Sequence, residues 1–217
     1  MDFEVKQMTI DERDLLNSIL ESLARIDYIK PEELPNIDLY MDQVTTFMDE
    51  RLSISKRHPE DKVLTKTMIN NYAKNNLLPP PVKKKYSKEH LLALIFIYYF
   101  KNILSIGDIQ AILNPITEQY FASDTELDLE DIYSEVFRLE ESEIMNLQKD
   151  ITRKYHTSQK TFTDASKEEK ETLQRFSFLC MLSFDVYIKK QLIEKLIDAK
   201  IDTNTKTAEK HTKKSEK

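Results

Sequence analysis

A nearly all-α fold is predicted by three features of this 217-residue chain. Gly107 is the single glycine, so the chain lacks the residue that hairpins and barrels use for turns at positive φ. Hydrophobic residues make up 40% and charged residues 32%, which is enough apolar side chain for a packed core and too much for disorder throughout. Apolar positions recur every three or four residues in several long stretches, the period that lays a stripe along a helix.

Taken in order, Thr9 with Glu12 makes a capping box for a first helix, whose stripe is Leu15, Leu16, Ile19, Leu20, Leu23 and Ile26. Pro31 stops it, and Pro31 and Pro35 frame a linker. Asp38 is read as the cap of a second helix carrying Tyr40, Val44, Phe47, Met48 and Leu52 on one side. Residues 53–62 lose the periodicity and contain Pro59, so they form a loop, either solvated or touching phosphate through Lys56, Arg57 and Lys62. A third helix runs from Thr65 to about Leu77, with Ile69, Tyr72, Ala73 and Leu77 inward, and Asn76 suits its C-terminal cap.

Three prolines at 79–81 force an extended path that delivers Val82, Lys83, Lys84, Lys85 and Tyr86 as a stiff strand or wing, the lysines alternating sides if the segment is extended. Ser87 caps a helix whose residues 91–100 are apolar almost all round and which forms the buried centre; His90 is read as a surface residue of its first turn. Ser105 opens a short helix with Ile106, Ile109, Ile112 and Leu113 inward, closed by Asn114-Pro115. An acidic helix follows, with Leu129, Ile132, Tyr133, Val136 and Leu139 on its stripe, continued by Ile144, Leu147 and Ile151. The last helix, from Lys167 to about Lys200, has too many apolar residues for one face and should be buried on several sides, within the chain or against a second copy. A hydrophobic effector pocket among these helices is a further reading of the same residues. The polar tail from Asp202 is expected to be disordered.

Function is read from charge. Residues 56–101 hold ten basic side chains and three acidic ones, although the whole chain carries −6. A basic island in an acidic protein attracts phosphate locally while the remainder limits indiscriminate binding to polyanions, although a solvated lysine loop has the same composition. The outer face of the third helix presents Lys66, Thr67, Asn70, Asn71 and Lys74, with no carboxylate between Lys62 and Ser87. Asparagine can pair with an adenine edge, threonine can touch a thymine methyl, and lysine can reach phosphate or guanine.

Other classes are poorly served. The chain has no glycine-rich phosphate loop, no metal-ligand cluster and no nucleophile with a partner histidine, so neither an enzyme nor a cofactor or metal site is expected. The single cysteine, Cys180, can form no intrachain disulfide and points to a reducing compartment. The N-terminus begins acidic, without a secretory pattern. The most apolar runs, 91–100 and 176–188, are shorter than the roughly 20 residues of a spanning helix. A cytoplasmic protein with no membrane association is expected.

The run from Met68 to Leu113 resembles the DNA-binding module of MerR-type regulators: a recognition helix ending in Leu77-Leu78-Pro79, a basic wing ending in Tyr86-Ser87, an apolar helix and a short amphipathic one. Residues 41–116 are more similar still to the YkrK-like proteins, an uncharacterised bacterial group regarded as distant MerR-like relatives. Aligned on Leu77-Leu78-Pro79, the familiar tyrosine falls at Tyr72, and the wing basic residue and tyrosine at Lys84 and Tyr86. The family's arginine is replaced by Asn70, a second tyrosine by Asn71 and its glycine by Asn76, so a strong phosphate or guanine contact is missing. The absence of cysteines there leaves metal sensing behind.

The resemblance implies a MerR-like winged helix-turn-helix domain at 36–116, preceded by an N-terminal helix at 1–35 and followed by a C-terminal helical dimerisation or effector region at 117–201. It implies a homodimeric regulator reading double-stranded DNA through Lys66, Thr67, Asn70, Asn71 and Lys74, with Lys83, Lys84, Lys85 and Tyr86 on the flanking backbone, and an unknown small-molecule effector as a further partner. The competing expectation is a protein-interaction adaptor in which the same fold no longer binds DNA.

Overall fold

The computed structural model describes residues 12–23, 29–123 and 126–215; the side chains at 12, 13, 15, 22, 23, 140–142 and 200–215 are left out. The expected capping box at Thr9 and the stripe position Ile26 fall outside the described residues. Helices dominate: α1 (Glu12–Leu23), α2 (Met41–Arg51), α3 (Lys66–Lys74), α4 (Lys88–Phe100), α5 (Ile106–Tyr120), α6 (Leu129–Ser158) and α7 (Lys167–Ser215). Two short strands, β1 (Leu39–Tyr40) and β2 (Lys85–Tyr86), pair antiparallel, with Leu39 opposite Tyr86 and Tyr40 opposite Lys85. Among the described residues, no helix is long and apolar enough to cross a membrane.

The centre is α4, where every residue from His90 to Tyr98 is buried. Such a helix needs neighbours on all sides, and it has them. Val44 and Met48 of α2, Ile69 and Tyr72 of α3, Ile109 and Leu113 of α5, and Leu129, Tyr133 and Phe137 of α6 belong to one continuous core with it. That core extends past 36–116 in both directions, from Ile29 and Leu34 to Phe137, and the Tyr133 hydroxyl donates to the Ile29 carbonyl at 2.7 Å. Phe96 meets Tyr133 edge-on with centroids 5.5 Å apart.

Several boundaries differ from the sequence expectation. Tyr40, not Asp38, occupies the cap of α2; its N–H donates to the Gln43 side chain at 2.9 Å, and its ring is exposed because β1 aims it outward. α5 does not stop at Pro115 but continues to Tyr120. The proline removes one donor, a loss of about 3 kcal/mol in an isolated helix. Ile116 packing on the core and the buried Thr117, whose hydroxyl donates to Asn114 at 3.1 Å, keep the helix going. Ile106, expected inward, is exposed. On α6 the buried stripe is Leu129, Tyr133 and Phe137, whereas Val136 and Leu139 face outward. His90 is only 2% exposed rather than on the surface.

Beyond the core, α6 and α7 form an antiparallel pair. Lys154 of α6 reaches both Asp150 and Asp185, and Gln174 donates to the carbonyls of Gln159 and Thr161 at 2.8 and 2.9 Å. Hydrogen bonding to Asp150 and then Asp185 raises the Lys154 ammonium above its ordinary pKa. α1 lies along this pair, with Leu16 buried and the Leu20 carbonyl accepting from Gln148 at 3.1 Å. α7 passes Lys200 and continues to Ser215, so residues 202–215, expected to be disordered, extend the same helix; no proline or glycine interrupts it.

Candidate nucleic-acid interface

α3 begins where Thr65 Oγ1 accepts from the Met68 N–H at 3.2 Å, which satisfies one donor of the first turn. Ile69 and Tyr72 point into the core, and that orientation turns Lys66, Thr67, Asn70, Asn71 and Lys74 to solvent. The helix ends at Lys74, about a turn before Leu77, and Asn76 takes the left-handed conformation with φ 53°. Leu77 and Leu78 both donate to the Tyr72 carbonyl, at 2.9 and 3.2 Å, as they enter the core. Asn71 accepts from the Asn75 carboxamide at 2.8 Å through its backbone carbonyl, so its own carboxamide remains outside that bond.

The lysine cluster forms a tight hairpin tip rather than an extended ribbon. Val82 and Lys85 exchange both backbone hydrogen bonds, at 3.0 and 2.9 Å, around Lys83 and Lys84. Both central residues have positive φ, 51° and 65°, as a type I′ turn requires. Asparagine and glycine ordinarily occupy such positions, and an L residue there costs about 1–2 kcal/mol. Two lysines are therefore held, against local preference, at the most projecting point of the segment, and both are exposed.

The remaining two lysine-cluster residues diverge. Lys85 is half-buried, with Nζ 5.2 Å from the centroid of the Tyr40 ring on the paired strand. Tyr86, expected on the DNA-facing surface, is 3% exposed; its ring is part of the core and burial raises the phenol pKa. The alternation of β2 explains this, because Leu39 opposite Tyr86 is also buried.

His90 anchors the hairpin from beneath. The Ser87 N–H donates to His90 Nδ1 at 3.0 Å, which leaves the proton on Nε2 to face the Pro80 carbonyl at 3.4 Å. Tyr86 and Phe121 each meet the imidazole edge-on, at 5.4 and 4.7 Å. Burial lowers the imidazole pKa, so its neutral form is favoured. Sequence reading missed this role; the signal was Ser87 followed three residues later by a side chain that can return a capping bond.

The net basic charge is smaller than a residue count suggests. Lys66 pairs with Asp42 of α2, Lys56 with Asp49 at 2.7 Å and Lys88 with Glu130 at 2.7 Å. The hydrogen bond from Lys56 leads the causes that hold the Asp49 carboxyl below its ordinary value. Lys101 donates to the Val63 carbonyl at 2.6 Å, and burial lowers its pKa. The basic residues left exposed by these pairings are Arg57, Lys62, Lys74, Lys83 and Lys84. Among the described residues, no group of three or more His, Cys, Asp or Glu gathers as a metal site.

Residues 29–136 match a family model described as Domain of unknown function (DUF1836). The DUF1836 stretch holds every buried residue of the core except Phe137 and Ile197. It contains α3 and the lysine hairpin and leaves most of α6 and all of α7 outside. The expectation of an uncharacterised family holds at that level, and the DUF1836 match itself carries no likeness to MerR regulators. No curated protein and no solved structure matches the chain.

Proposed function

We propose that the protein is a sequence-specific, duplex-DNA-binding transcriptional regulator with a MerR-like winged helix-turn-helix. In this reading Thr67, Asn70, Asn71 and Lys74 enter the major groove, and Lys83 and Lys84, with Lys85 behind them, hold the flanking phosphates. The observation that carries the reading is the hairpin tip: two lysines kept at positive φ, where other residues would be less strained, immediately after a helix with an acid-free outer face. Asp42 tempers the positive field by pairing with Lys66. Tyr86 is removed from the contact set.

Fluorescence anisotropy with a duplex from the gene's own upstream region and a scrambled control, each at two salt concentrations, tests the proposal. Preferential binding to the native duplex, weakened by salt and abolished by Asn70→Ala with Lys74→Ala, is expected. If neither duplex binds at low salt, the DNA reading fails. The cavity of about 230 Å³ among α1, α6 and α7, lined by Leu16, Tyr155, Gln159, Arg175 and Phe178, offers a small effector mostly apolar surroundings. The second reading, a protein-interaction adaptor, is favoured by the apolar side chains that α7 leaves exposed.

A further inference from the structure

The short ladder of β1 and β2 has one face in the core and one in solvent. Leu39 and Tyr86 fill the inner face. Side chains directly opposite each other in an antiparallel ladder share a face, so Tyr40 and Lys85 stand together on the outer one. Val82 joins them, because it pairs with Lys85 across the turn. The outcome is a row of three: an aromatic ring 54% exposed, a lysine with Nζ 5.2 Å from the centroid of that ring, and a valine 67% exposed. The helical period places Tyr40 inward with Val44 and Met48, so this row emerges only from the strand pairing.

The surroundings of the row are cationic. Lys83 and Lys84 continue it at the hairpin tip, both exposed. Asp42, two residues after Tyr40, pairs with Lys66 in the first turn of α3. Tyr40 is thereby tied to the hairpin on one side and to the start of α3 on the other. Lysines attract phosphate, whereas an aromatic ring beside a valine offers phosphate nothing and instead covers the apolar face of a sugar. The two chemistries side by side match the alternation of sugar and phosphate along a nucleic-acid strand.

We infer that Tyr40, flanked by Val82 and the stem of Lys85, packs against a deoxyribose and seats one strand of the duplex between the hairpin tip and α3. The inference rests on the duplex-DNA reading and adds a contact of a different kind. Phosphate neutralisation weakens as salt rises, and apolar packing on a sugar does not. The seat is formed before DNA arrives. The Tyr40 N–H donates to Gln43 at 2.9 Å, and the Ser87 N–H at the exit of the hairpin donates to His90 at 3.0 Å, so both strands are fixed from behind. Little beyond the side chains has to be ordered on binding.

The chain contains no tryptophan, so Tyr40→Trp supplies a single fluorescent reporter at the seat. Its emission is expected to change as duplex is added, over the same concentrations at which the anisotropy of labelled duplex saturates. Tyr40→Ala should weaken duplex affinity about tenfold, the loss that corresponds to about 60 Å² of uncovered apolar surface. The slope of its log affinity against log salt should stay at the native value. Tyr40→Phe should bind as the native chain does, because the ring rather than the hydroxyl makes the contact. Circular dichroism of all three variants should match the native spectrum, since the ring is exposed and Tyr40 caps α2 through its backbone. Unchanged emission from Tyr40→Trp where anisotropy reports saturation overturns the inference and leaves the DNA reading standing. Native affinity in Tyr40→Ala, or an equal loss in Tyr40→Phe, does the same. A shallower salt slope in Tyr40→Ala also overturns it, because the residue would then act through the lysines. A native chain that binds no duplex at low salt is recognised by anisotropy alone, and there the DNA reading fails and takes this inference with it.

Discussion

α4 and α7 carry the same sequence signature, apolar residues around the whole circumference, and meet opposite fates. α4 is enclosed by β2, α2, α3, α5 and α6 and has no exposed residue between His90 and Tyr98. α7 has α6 on one side and α5 near its later half, and it leaves Phe176, Phe184, Tyr187 and Leu192 in solvent. An apolar circumference thus states how many neighbours a helix requires without stating which chain supplies them.

Removing one side chain from each helix is the severest test of that difference. Leu94→Ala should destabilise the fold by about 2–5 kcal/mol, because Leu94 is fully enclosed. Leu192→Ala, denatured at a dilution where chains are separate, should change stability by no more than about 0.5 kcal/mol. Comparable losses in urea titrations would mean that α7 is as enclosed as α4.

The hairpin tip gives the next largest effect. Lys84→Gly should raise stability by about 1 kcal/mol, since glycine accepts positive φ without the penalty lysine meets. It should weaken duplex binding at the same time. A variant that gains stability and keeps full affinity would separate the strained backbone from DNA recognition.

The pH dependence is smaller and has a defined sign. His90 is buried, so its folded pKa lies below the unfolded value of about 6.5. Above that value both states are neutral and this group adds no pH dependence. As pH falls below it, the unfolded chain binds the proton first and stability declines toward the folded pKa. Thermal unfolding of the native protein should become easier over that window, and the decline should shrink in His90→Gln. Smallest of all, Asp42→Asn should tighten duplex binding modestly by freeing Lys66 from an exposed ion pair.

Much of the core was legible because it rests on local chemistry. The Ser87 and Thr65 helix starts, the uncovered face of α3 and the buried run of α4 all follow from short patterns. The rest depended on partners distant in the chain. Tyr86 is inside because a two-residue strand pairs it with Leu39, too short a strand to leave a period. α5 crosses Pro115 because packing at Ile116 and Thr117 outweighs one lost donor, and α6 turns Tyr133 and Phe137 inward because α4 offers Phe96 there. Lysine gives no sequence sign of positive φ, so the tight turn at Lys83 and Lys84 is not legible within the segment that reads as a stiff strand or wing.

The most direct test of the DNA reading is the salt dependence of duplex affinity for the native protein and for Lys83→Ala with Lys84→Ala. Each phosphate neutralised contributes about −0.9 to the slope of log affinity against log salt, so the double variant should be shallower by roughly 2. An unchanged slope would mean that the hairpin tip does not touch phosphate, and the proposed binding mode would be wrong.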